Sequence, residues 1–443
     1  MTQDTALALL RAGHSVFLTG EAGTGKTHTV NEYTKYLRSR GIPFAVTAST
    51  GIAATHIGGM TIHSWSGIGT ARELNETEIK NIAKTAHVAK RIRKSAVLII
   101  DEVSMLDGRV LTLIETVCRV VRKSTIPFGG MQVVLVGDFF QLPPVTKAGE
   151  TPEYAFASEA WERLVPIVCY LHEQFRQEDM VFLNLLKALR ANALEETHYE
   201  TFRSQMVTED EAPLGITRLY AHNLDVDRIN QEELRQLPGK THAYQMRDKG
   251  KVALVETLKR TCLSPERLEL KIGALVMFTK NNSSAGYVNG TQGVVTAFHP
   301  ESKLPIVKTR SGNIIEVGPM DWSMFEGDEA LAVVTQLPLR LAWALTIHKS
   351  QGTSLDAAVI DLSKVFEYGQ GYVALSRVRT LRGLHLLGMN NKATQVHPQI
   401  RTVDQEFQMA SEEARSKYEA IDDKTREQLE TNFILVSGGK RGD

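Results

Sequence analysis

The sequence lacks several features that mark specialised classes of protein. Its 443 residues include three cysteines, Cys118, Cys169 and Cys262, which are odd in number and far apart. They predict neither a disulfide framework nor a zinc knuckle, and such sparse cysteine is typical of a reducing cytoplasm. No apolar run approaches the length of a membrane span, and the N-terminal residues lack the basic start of a signal peptide. We therefore expect a cytoplasmic protein without a targeting segment.

An excess of positive charge is also missing. Lys and Arg together number 51, and so do Asp and Glu, which gives a formal net charge of zero. This balance disfavours a protein that coats nucleic acid by bulk charge, but it is compatible with a local basic channel. A chain of this length is too long for one core and predicts about two to four domains. Any nucleic-acid function must therefore be argued from motifs.

A glycine-rich stretch is the most informative segment. Gly20-Glu-Ala-Gly-Thr-Gly-Lys-Thr27 follows a short apolar run and precedes a segment that is predicted to be helical to about Arg38. Strand, glycine-rich loop and helix in this order have the spacing of a phosphate-binding loop. The glycines let backbone N–H groups approach a triphosphate, and the helix adds the positive end of its dipole.

Within this loop, Lys26 is expected to reach the β- and γ-phosphates, and the Thr27 hydroxyl is expected to contact Mg²⁺. The alternative is a glycine-rich turn that matches the motif by chance. The residues predicted to contact the nucleotide here are Gly20, Ala22, Gly23, Thr24, Gly25, Lys26, Thr27 and His28.

Two carboxylates follow a later apolar run. Val97-Leu-Ile-Ile100 predicts a buried strand, and Asp101 and Glu102 come directly after it. Carboxyl ends of parallel strands are where α/β sheets bind ligands. Asp101 is expected to hold Mg²⁺ through water, and Glu102 to orient and deprotonate the attacking water. The alternative is an exposed acidic pair at a strand end.

Two glutamines are further candidates. Gln141 also lies just past a predicted strand, Val133–Val136, where it could sense the γ-phosphate and relay its presence to a bound nucleic-acid strand. Gln3 lies near the N-terminus, and its amide offers the donor and acceptor that an adenine edge requires. Taken alone, Gln3 is better explained as a plain surface residue.

Two arginines in the following half of the chain complete the predicted site. Arg176 precedes a predicted helix and is a candidate phosphate clamp, and Arg377 lies in Val373-Ala-Leu-Ser-Arg377-Val-Arg379. The arrangement is explained if ATP lies between two domains, one binding the nucleotide and the other supplying arginines that stabilise charge on the γ-phosphoryl group. Hydrolysis would then open and close the cleft.

Three neighbouring segments bear on nucleic-acid binding. Gly58–Trp65 contains small residues, hydroxyls, His63 and Trp65, which could admit a sugar–phosphate backbone and offer rings for base stacking. The alternative is a glycine-bearing turn with a core tryptophan. The basic run Lys90–Lys94 is better explained as a solvated helix face than as a DNA contact, and residues 66–84 are predicted to be a loop-like insertion.

The rest of the chain changes its pattern twice. From about Lys251 to Thr335, short strands alternate with turns, which predicts a small β-barrel inserted into an α/β domain. The α/β pattern resumes at Leu341–Gly352 and continues through Ala357–Leu362. Beyond Val396 the chain is charged and helix-prone, with a loose tail.

In this order the motifs resemble a known family. They read GEAGTGKT, TASTGIAA with TIHSW, IIDEVSM, VLVGDFFQLPPV, QFRQ, LTIHKSQG and VALSRVRT. They are similar to those of the superfamily 1 helicases, B branch, and within it the petite-integration-frequency (Pif) family. Leu106–Gln132 looks like the segment that separates this family from its RecD-like and Dda-like relatives. The resemblance runs from about Gln3 to Gly388.

The resemblance implies an ATP-dependent DNA helicase that moves from 5-prime to 3-prime on single-stranded DNA, with ATP and Mg²⁺ as cofactors. It makes Lys26, Glu102, Gln141 and the arginine fingers Arg176 and Arg377 the catalytic residues. Further implied roles are metal binding by Thr27 and Asp101, nucleotide binding by Gln3 and Gly352, and single-stranded DNA binding by Thr50, Gly51, His63, Trp65, His348 and Lys349.

The implied fold is α/β, with two RecA-like parallel-sheet domains, an inserted SH3-like β-barrel and a small wedge insertion. The predicted domains are 1–168 (RecA-like, wedge at about 66–84), 169–237 with 336–395 (RecA-like), 238–335 (SH3-like) and 396–443 (helical segment and tail). We expect a minimal bacterial or phage-type core that is monomeric when free and acts on single-stranded, forked or structured DNA. Roles in DNA repair, recombination and telomere maintenance also follow from the resemblance.

Two other functions stay open at this stage. One is a single-strand translocase or protein-displacing ATPase that does not separate strands productively. The other is a nucleotide-gated protein whose ATP controls its affinity for DNA or a partner. A superfamily 2 RNA helicase is disfavoured, because its acidic motif usually reads Asp-Glu-Ala-Asp, whereas this chain has Asp101-Glu-Val-Ser104.

Overall fold

The computed structural model of the chain describes residues 1–57, 59–69, 71–144, 152–174, 179–213, 215–222, 226–326 and 329–440. The chain divides into two units, one comprising Met1–Arg176 with Pro398–Asp443 and the other Gln177–His397. Each unit has its own parallel sheet. Among the helices of these residues, none is long and apolar enough to cross a lipid bilayer.

The first unit is built on a six-stranded parallel sheet in the order β3-β2-β4-β5-β1-β6. Its inner strands are continuous apolar runs, because helices cover both faces of a parallel sheet; all four residues of Val97–Ile100 are fully buried. The elements up to residue 174 are α1 Gln3–Arg11, β1 Val16–Gly20, α2 Lys26–Ser39, β2 Phe44–Ala48, α3 Gly51–His56, β3 Met60–Thr61, α4 Ile62–Ser66, α5 Glu76–Lys84, α6 Ala86–Lys94, β4 Val97–Asp101, α7 Gly108–Arg122, β5 Gln132–Val136, α8 Glu159–Leu164 and β6 Ile167–Leu171.

The register of this sheet brings the candidate loops to one edge. Leu18 in β1 is paired with Val136 in β5, and Ile100 in β4 is paired with Leu135 in β5. The three strands therefore end side by side. The glycine-rich loop, the two carboxylates and the segment that contains Gln141 all leave the sheet at this edge.

The predicted loop at residues 66–84 is partly wrong, because its second half is the helix α5. Asn75 caps this helix by accepting the Glu78 N–H at 3.0 Å, and the Glu78 side chain accepts the Asn75 N–H at 2.8 Å. This reciprocal capping box starts a helix even in a polar segment. Ile79 is buried and anchors it.

The basic run lies on helix α6, as expected, but not all of it faces solvent. Arg91 donates to the Ser64 carbonyl, and Arg93 donates to the Val121 carbonyl at 3.2 Å. Lys90 and Lys94 are exposed. The run is thus a helix face whose arginines also join neighbouring segments.

The second unit combines a four-stranded parallel sheet, β18-β7-β19-β20, with antiparallel sheets in the orders β14-β13-β12-β11-β17, β15-β16-β9 and β10-β8. Its elements are α9 Met180–Arg190, α10 Glu196–Ser204, β7 Arg218–Tyr220, α11 Val226–Gln236, β8 His242–Gln245, β9 Arg247–Gly250, α12 Val252–Thr261, β10 Arg267–Leu270, β11 Leu275–Phe278, β12 Gln292–Phe298, β13 Pro305–Thr309, β14 Ile314–Glu316, β15 Met320–Glu326, β16 Glu329–Gln336, β17 Leu339–Leu341, β18 Ala344–Thr346, α13 Ile347–Ser350, β19 Ala358–Leu362, α14 Gln370–Leu375 and β20 Leu384–Met389.

This unit confirms the predicted α/β class with an antiparallel insert, with one addition. Helix α12 lies inside the region that was predicted to contain only strands and turns, and it packs against β16. Val255 and Leu258, three positions apart, are buried on one side of it. Short 3₁₀ turns lie elsewhere in the chain at Val103–Met105, Pro127–Gly130, Ala155–Ala157, Ser283–Ala285, Leu381–Gly383 and Asn391–Thr394.

The C-terminal segment forms two helices, α15 Pro398–Glu419 and α16 Asp423–Val436, that belong to the first unit. The Tyr170 N–H at the edge strand β6 donates to Ser411 Oγ at 2.9 Å. The ring of Phe407 lies 5.1 Å from that of Phe17 on β1. Ile434 is buried in the core cluster that contains Val16 and Leu18 of β1. The helices were expected, but their contacts with the first sheet were not.

Candidate nucleotide site

The glycine-rich loop has the backbone that its sequence predicts. Gly20, Gly23 and Gly25 have φ values of 141°, 92° and 84°, all in the region that side chains disfavour. A Cβ at Gly20 would lie 2.6 Å from the Leu171 carbonyl oxygen and 2.9 Å from Thr24 Oγ1. Since the turn ends where α2 begins at Lys26, it directs the helix N-terminus at the loop. This is the geometry of an anion-binding site.

Lys26 folds back over the loop. Its ammonium group donates to the carbonyl oxygens of Gly20 at 2.8 Å and Glu21 at 3.0 Å. These contacts place its positive charge where phosphates would be bound. Thr27 and His28 are exposed on the first turn of α2, and Ala22 and Thr24 are buried within the loop.

Gln3 lies beside the same loop. It is the first residue of α1, and its Nε2 donates to the Thr24 carbonyl oxygen at 3.2 Å. The contact distinguishes Gln3 from an ordinary surface residue. It places an amide with donor and acceptor capacity next to the glycine-rich turn.

The two carboxylates lie at the end of β4 in different conformations. The Glu102 N–H donates to Asp101 Oδ1 at 2.8 Å, while Glu102 itself has a left-handed backbone with a φ of 51°. Such backbone strain in a residue other than glycine often marks functional sites. Burial raises the pKa of Asp101, and the Glu102 N–H and the charge of Lys26 oppose that effect. The interaction with Lys26 links the carboxylates to the glycine-rich loop.

Two residues that the sequence analysis missed support this edge. Ser49, at the end of β2, donates its N–H to the Asp101 carbonyl at 3.1 Å and its hydroxyl to the Glu102 carbonyl at 2.7 Å. Asp138 is fully buried after β5 and accepts the Phe140 N–H at 3.1 Å. Their signal in the sequence was a polar residue just past a strand, directly after β2 for Ser49 and two positions after the last residue of β5 for Asp138.

Gln141 is held by the same aspartate. Its N–H donates to the Asp138 carbonyl at 3.0 Å, and its Nε2 lies 3.4 Å from Asp138 Oδ2. Gln141 is buried, and the Gly137 N–H connects this segment to β1 through the Leu18 carbonyl at 3.2 Å. The glutamine therefore follows a strand that ends beside the glycine-rich loop.

The part of the chain that the structure describes contains no protein cage for a metal. Among the described residues, no group of three or more His, Cys, Asp or Glu side chains could hold an ion. An exposed Thr27 hydroxyl and the Asp101 carboxylate still suit Mg²⁺, which keeps several waters and is usually bound through one or two protein groups together with substrate phosphates.

Thr50 and Gly51 follow Ser49, the residue after β2 that is hydrogen-bonded to the backbone of both carboxylate residues. The Thr50 hydroxyl accepts the Ala53 N–H at 3.2 Å at the start of α3. Because Ser49 is bonded to the carbonyls of Asp101 and Glu102, this turn is mechanically connected to the candidate nucleotide site.

The aromatic part of the predicted DNA-binding stretch is corrected by the structure. Trp65 on α4 is only 3% exposed. A buried indole cannot stack on a base, so the core tryptophan is the better explanation. His63 on the same helix is half-buried, and burial lowers its pKa.

The candidates in the second unit lie near one another at the end of β18 and after α14. His348 and Lys349 lie on α13, where the Lys349 N–H donates to Thr346 Oγ1 at 3.2 Å, and burial lowers the pKa of His348. Gly352 follows, exposed and with a φ of 75°. Arg176 lies outside the described residues.

Arg377 is 2% exposed and fully engaged within its own unit. It donates through Nε to the Val373 carbonyl at 2.9 Å, through Nη2 to Ser376 Oγ at 2.8 Å and through Nη1 to the Thr353 carbonyl at 3.4 Å. The last contact joins it to the residue after Gly352.

Comparisons with known proteins identify the family to which the chain is similar. The family model described as PIF1-like helicase matches residues 3–195, and the model described as DNA helicase Pif1, 2B domain, matches residues 253–298. The second match falls in the antiparallel part of the second unit. The first covers the glycine-rich loop, both carboxylates and Gln141.

Two curated relatives illustrate the similarity. The ATP-dependent DNA helicase Pif1 of Psychrobacter sp. is 41% identical, over 99% of this chain and 75% of its own length. The human ATP-dependent DNA helicase PIF1 is 40% identical over 89% of this chain, and the match spans 62% of the human protein.

Solved structures are similar over nearly the whole chain. Pif1 from Bacteroides sp. in complex with ADP-AlF4 has a TM-score of 0.81 and 30% identity, and the match covers 92% of this chain and 96% of that one. The Bacteroides Pif1 complex with ADP-AlF3 and single-stranded DNA has a TM-score of 0.62 and 31% identity, with coverage of 93% and 97%.

Proposed function

The chain belongs to the PIF1-like helicase family and is an ATP-dependent DNA helicase, and from this premise we propose that it moves from 5-prime to 3-prime along single-stranded DNA and unwinds the duplex ahead of it. The observation that carries the proposal is the glycine-rich loop with Lys26 at the same sheet edge as Asp101 and Glu102. Residues at that edge can bind a triphosphate and activate a water molecule for attack on its γ-phosphorus.

In the proposed reaction, the loop amides and Lys26 bind the phosphates and Gln3 reads the adenine. For Lys26 to do so, its ammonium group exchanges the carbonyls of Gly20 and Glu21 for phosphate oxygens. Glu102 orients the attacking water and takes its proton, because its carboxylate is displayed at the strand end by the strained backbone. Gln141 senses whether the γ-phosphate is present and transmits this to the turn at Thr50, where DNA would be bound.

Mg²⁺ would be held by the Thr27 hydroxyl, by Asp101 through water and by the phosphates themselves. When bound, it neutralises charge on the phosphoryl oxygens. Burial raises the pKa of Asp101, and the nearby charge of Lys26 partly opposes this rise.

The arginine-finger role of Arg377 is also part of the proposal. In the structure its guanidinium group is bonded to carbonyl and hydroxyl oxygens of its own unit. The finger would act by exchanging some of these partners for the γ-phosphoryl group. Arg176 has the same role by family resemblance alone.

The DNA contacts and domain limits follow the sequence analysis. We infer that Thr50, Gly51 and His63 contact single-stranded DNA from the first unit, and His348 and Lys349 from the second. The predicted boundary at 168 would divide β6, which is one strand of the first sheet, so we propose RecA-like domains at 1–171 and at 172–237 with 336–395. The SH3-like insert would be 238–335, the wedge about 66–84 and the C-terminal segment 396–443. Forked DNA as substrate, a monomeric free state, a cytoplasmic location, and roles in repair, recombination and telomere maintenance stay predictions.

A tailed-fork assay tests the proposal. Forks with only a 5-prime tail should be unwound in the presence of ATP, and forks with only a 3-prime tail should not. A Lys26→Ala variant is the matched control, since it should leave both forks intact. The reverse tail preference would contradict the direction assigned to this chain.

A second measurement separates the alternatives. ATP turnover should rise strongly when single-stranded DNA is added. Stimulated turnover without unwinding of either fork would favour a translocase, and turnover unaffected by DNA would favour a nucleotide-gated binding protein.

A further inference from the structure

An exposed aromatic pair lies at the carboxyl edge of the second parallel sheet. The rings of His222 and Phe366 are stacked, with centroids 4.9 Å apart and an interplanar angle of 21°. His222 is exposed and Phe366 is 55% exposed. None of the motifs discussed above assigns either residue a role.

The loop that carries Phe366 is held firmly although its ring is not buried. Asn390 Nδ2 donates to the carbonyls of Ser363 at 3.0 Å and Val365 at 2.7 Å. Val365 is buried, and the Phe366 N–H donates to Oε1 of the fully buried Gln370 at 3.3 Å. Phe366 is thus a large apolar ring that a well-bonded loop holds at the surface, and loops fixed on a rigid scaffold commonly carry binding residues.

The sheet register relates this pair to the predicted DNA contacts. Thr346 in β18 and Asp361 in β19 are both paired with Tyr220 in β7, so the three strands end side by side. His222 follows Tyr220 by two residues, and His348 follows Thr346 by two residues. The aromatic pair therefore leaves the same sheet edge as His348 and Lys349.

We propose that His222 and Phe366 form a stacking platform for one base of single-stranded DNA. The inference rests on the proposed function, because it supplies that function with a base contact in the second unit. Because the two rings stack on each other, a base would stack on an outward face of the pair, and every base has a π-face that allows this contact independently of sequence. The buried Trp65 cannot provide such a contact in the first unit. His348 and Lys349 beside the platform would contact the backbone of the same strand.

Phe366→Ala in the full chain tests the platform. Dissociation constants are measured by fluorescence anisotropy for a labelled oligo(dT) and for an oligonucleotide of equal length made of abasic sites. Loss of one stacked base should weaken oligo(dT) binding by about 5-fold or more and leave binding of the abasic strand unchanged. Phe366→Tyr should restore oligo(dT) binding.

Ile314→Ala is the matched control, since Ile314 is a 71% exposed apolar residue on a different sheet of the same unit. It should bind both oligonucleotides like the wild-type protein. The platform is refuted if Phe366→Ala binds oligo(dT) as tightly as wild type, or if it weakens both oligonucleotides equally. If the wild-type protein binds neither oligonucleotide, the proposed function itself fails.

Discussion

Replacing Gln3 with alanine should reduce affinity for ATP and also erase a preference among purine nucleotides. Gln3 begins α1 and donates to the Thr24 carbonyl at 3.2 Å, so its amide lies next to the phosphate-binding loop. An adenine edge offers one donor and one acceptor, which a carboxamide can match with two hydrogen bonds. A guanine edge offers two acceptors and can be matched by the amide N–H alone.

The magnitude follows from the bonds exchanged. A bidentate amide–adenine pair contributes about 1–3 kcal/mol of discrimination, and the hydrogen bond to Thr24 that must be given up contributes roughly 1 kcal/mol. The net gain is therefore at most about 2 kcal/mol, with a midpoint of about 1 kcal/mol, so the dissociation constant for ATP should rise by roughly 5-fold, and by no more than about 30-fold, in Gln3→Ala. GTP affinity should change much less.

Equilibrium displacement of a fluorescent nucleotide by ATP and by GTP measures both constants. Gln3→Glu is the control, because it preserves the size of the side chain but removes its donor, and it should fall between wild type and Gln3→Ala. An unchanged ratio of ATP to GTP affinity in Gln3→Ala would refute the role of this residue as the adenine reader.

Three further predictions concern other residues of the first unit. Glu102→Gln should bind ATP normally yet hydrolyse it ~10² to 10⁴ times more slowly, measured as single-turnover hydrolysis; normal turnover would exclude Glu102 as the base. Asp101→Asn should melt at a higher temperature than wild type at pH 7 without nucleotide. Burial raises the pKa of Asp101 in the folded protein. The protein therefore loses stability as the pH rises from the pKa of this group in the unfolded chain through its higher pKa in the folded one, and the substitution removes that loss. A melting temperature below that of wild type would contradict this. Trp65→Ala should lose ~3 kcal/mol or more of unfolding free energy in a denaturant titration; undiminished stability with weaker DNA binding would make Trp65 a DNA contact.

The sequence predicted those parts of the fold that local pattern determines. Strands β1, β4 and β5 are continuous apolar runs, and the loop after β1 requires glycine at positions with positive φ, so both were recognised from residue type. The same holds for Asp101 and Glu102, which a strand end places at the ligand-binding edge. The resemblance to the family then joined these segments into one site.

What the sequence missed depended on contacts between distant residues or on weaker local signals. Trp65 looked equally suited to the core and to DNA, and only packing buried it. Helix α5 was hidden by its polar composition, although Asn75 and Glu78 form a capping box. The docking of α15 depends on bonds such as the one between Tyr170 and Ser411, which are 241 positions apart. Neither hydrophobic periodicity nor a motif encodes such a pair.

The proposed hydrolysis depends most on Arg377 acting on ATP that is bound at Lys26. Arg377→Ala should bind ATP like wild type but hydrolyse it ~10³-fold or more slowly, because an arginine finger stabilises mainly the transition state. Arg379→Ala is the matched control, since Arg379 is exposed and paired with Asp356 at 3.1 Å, and it should turn over normally. Single-turnover hydrolysis in the presence of single-stranded DNA, on variants that a thermal melt shows to be folded, is the decisive measurement. A thousandfold loss confined to Arg377→Ala is the predicted result, and wild-type turnover by that variant would contradict the account.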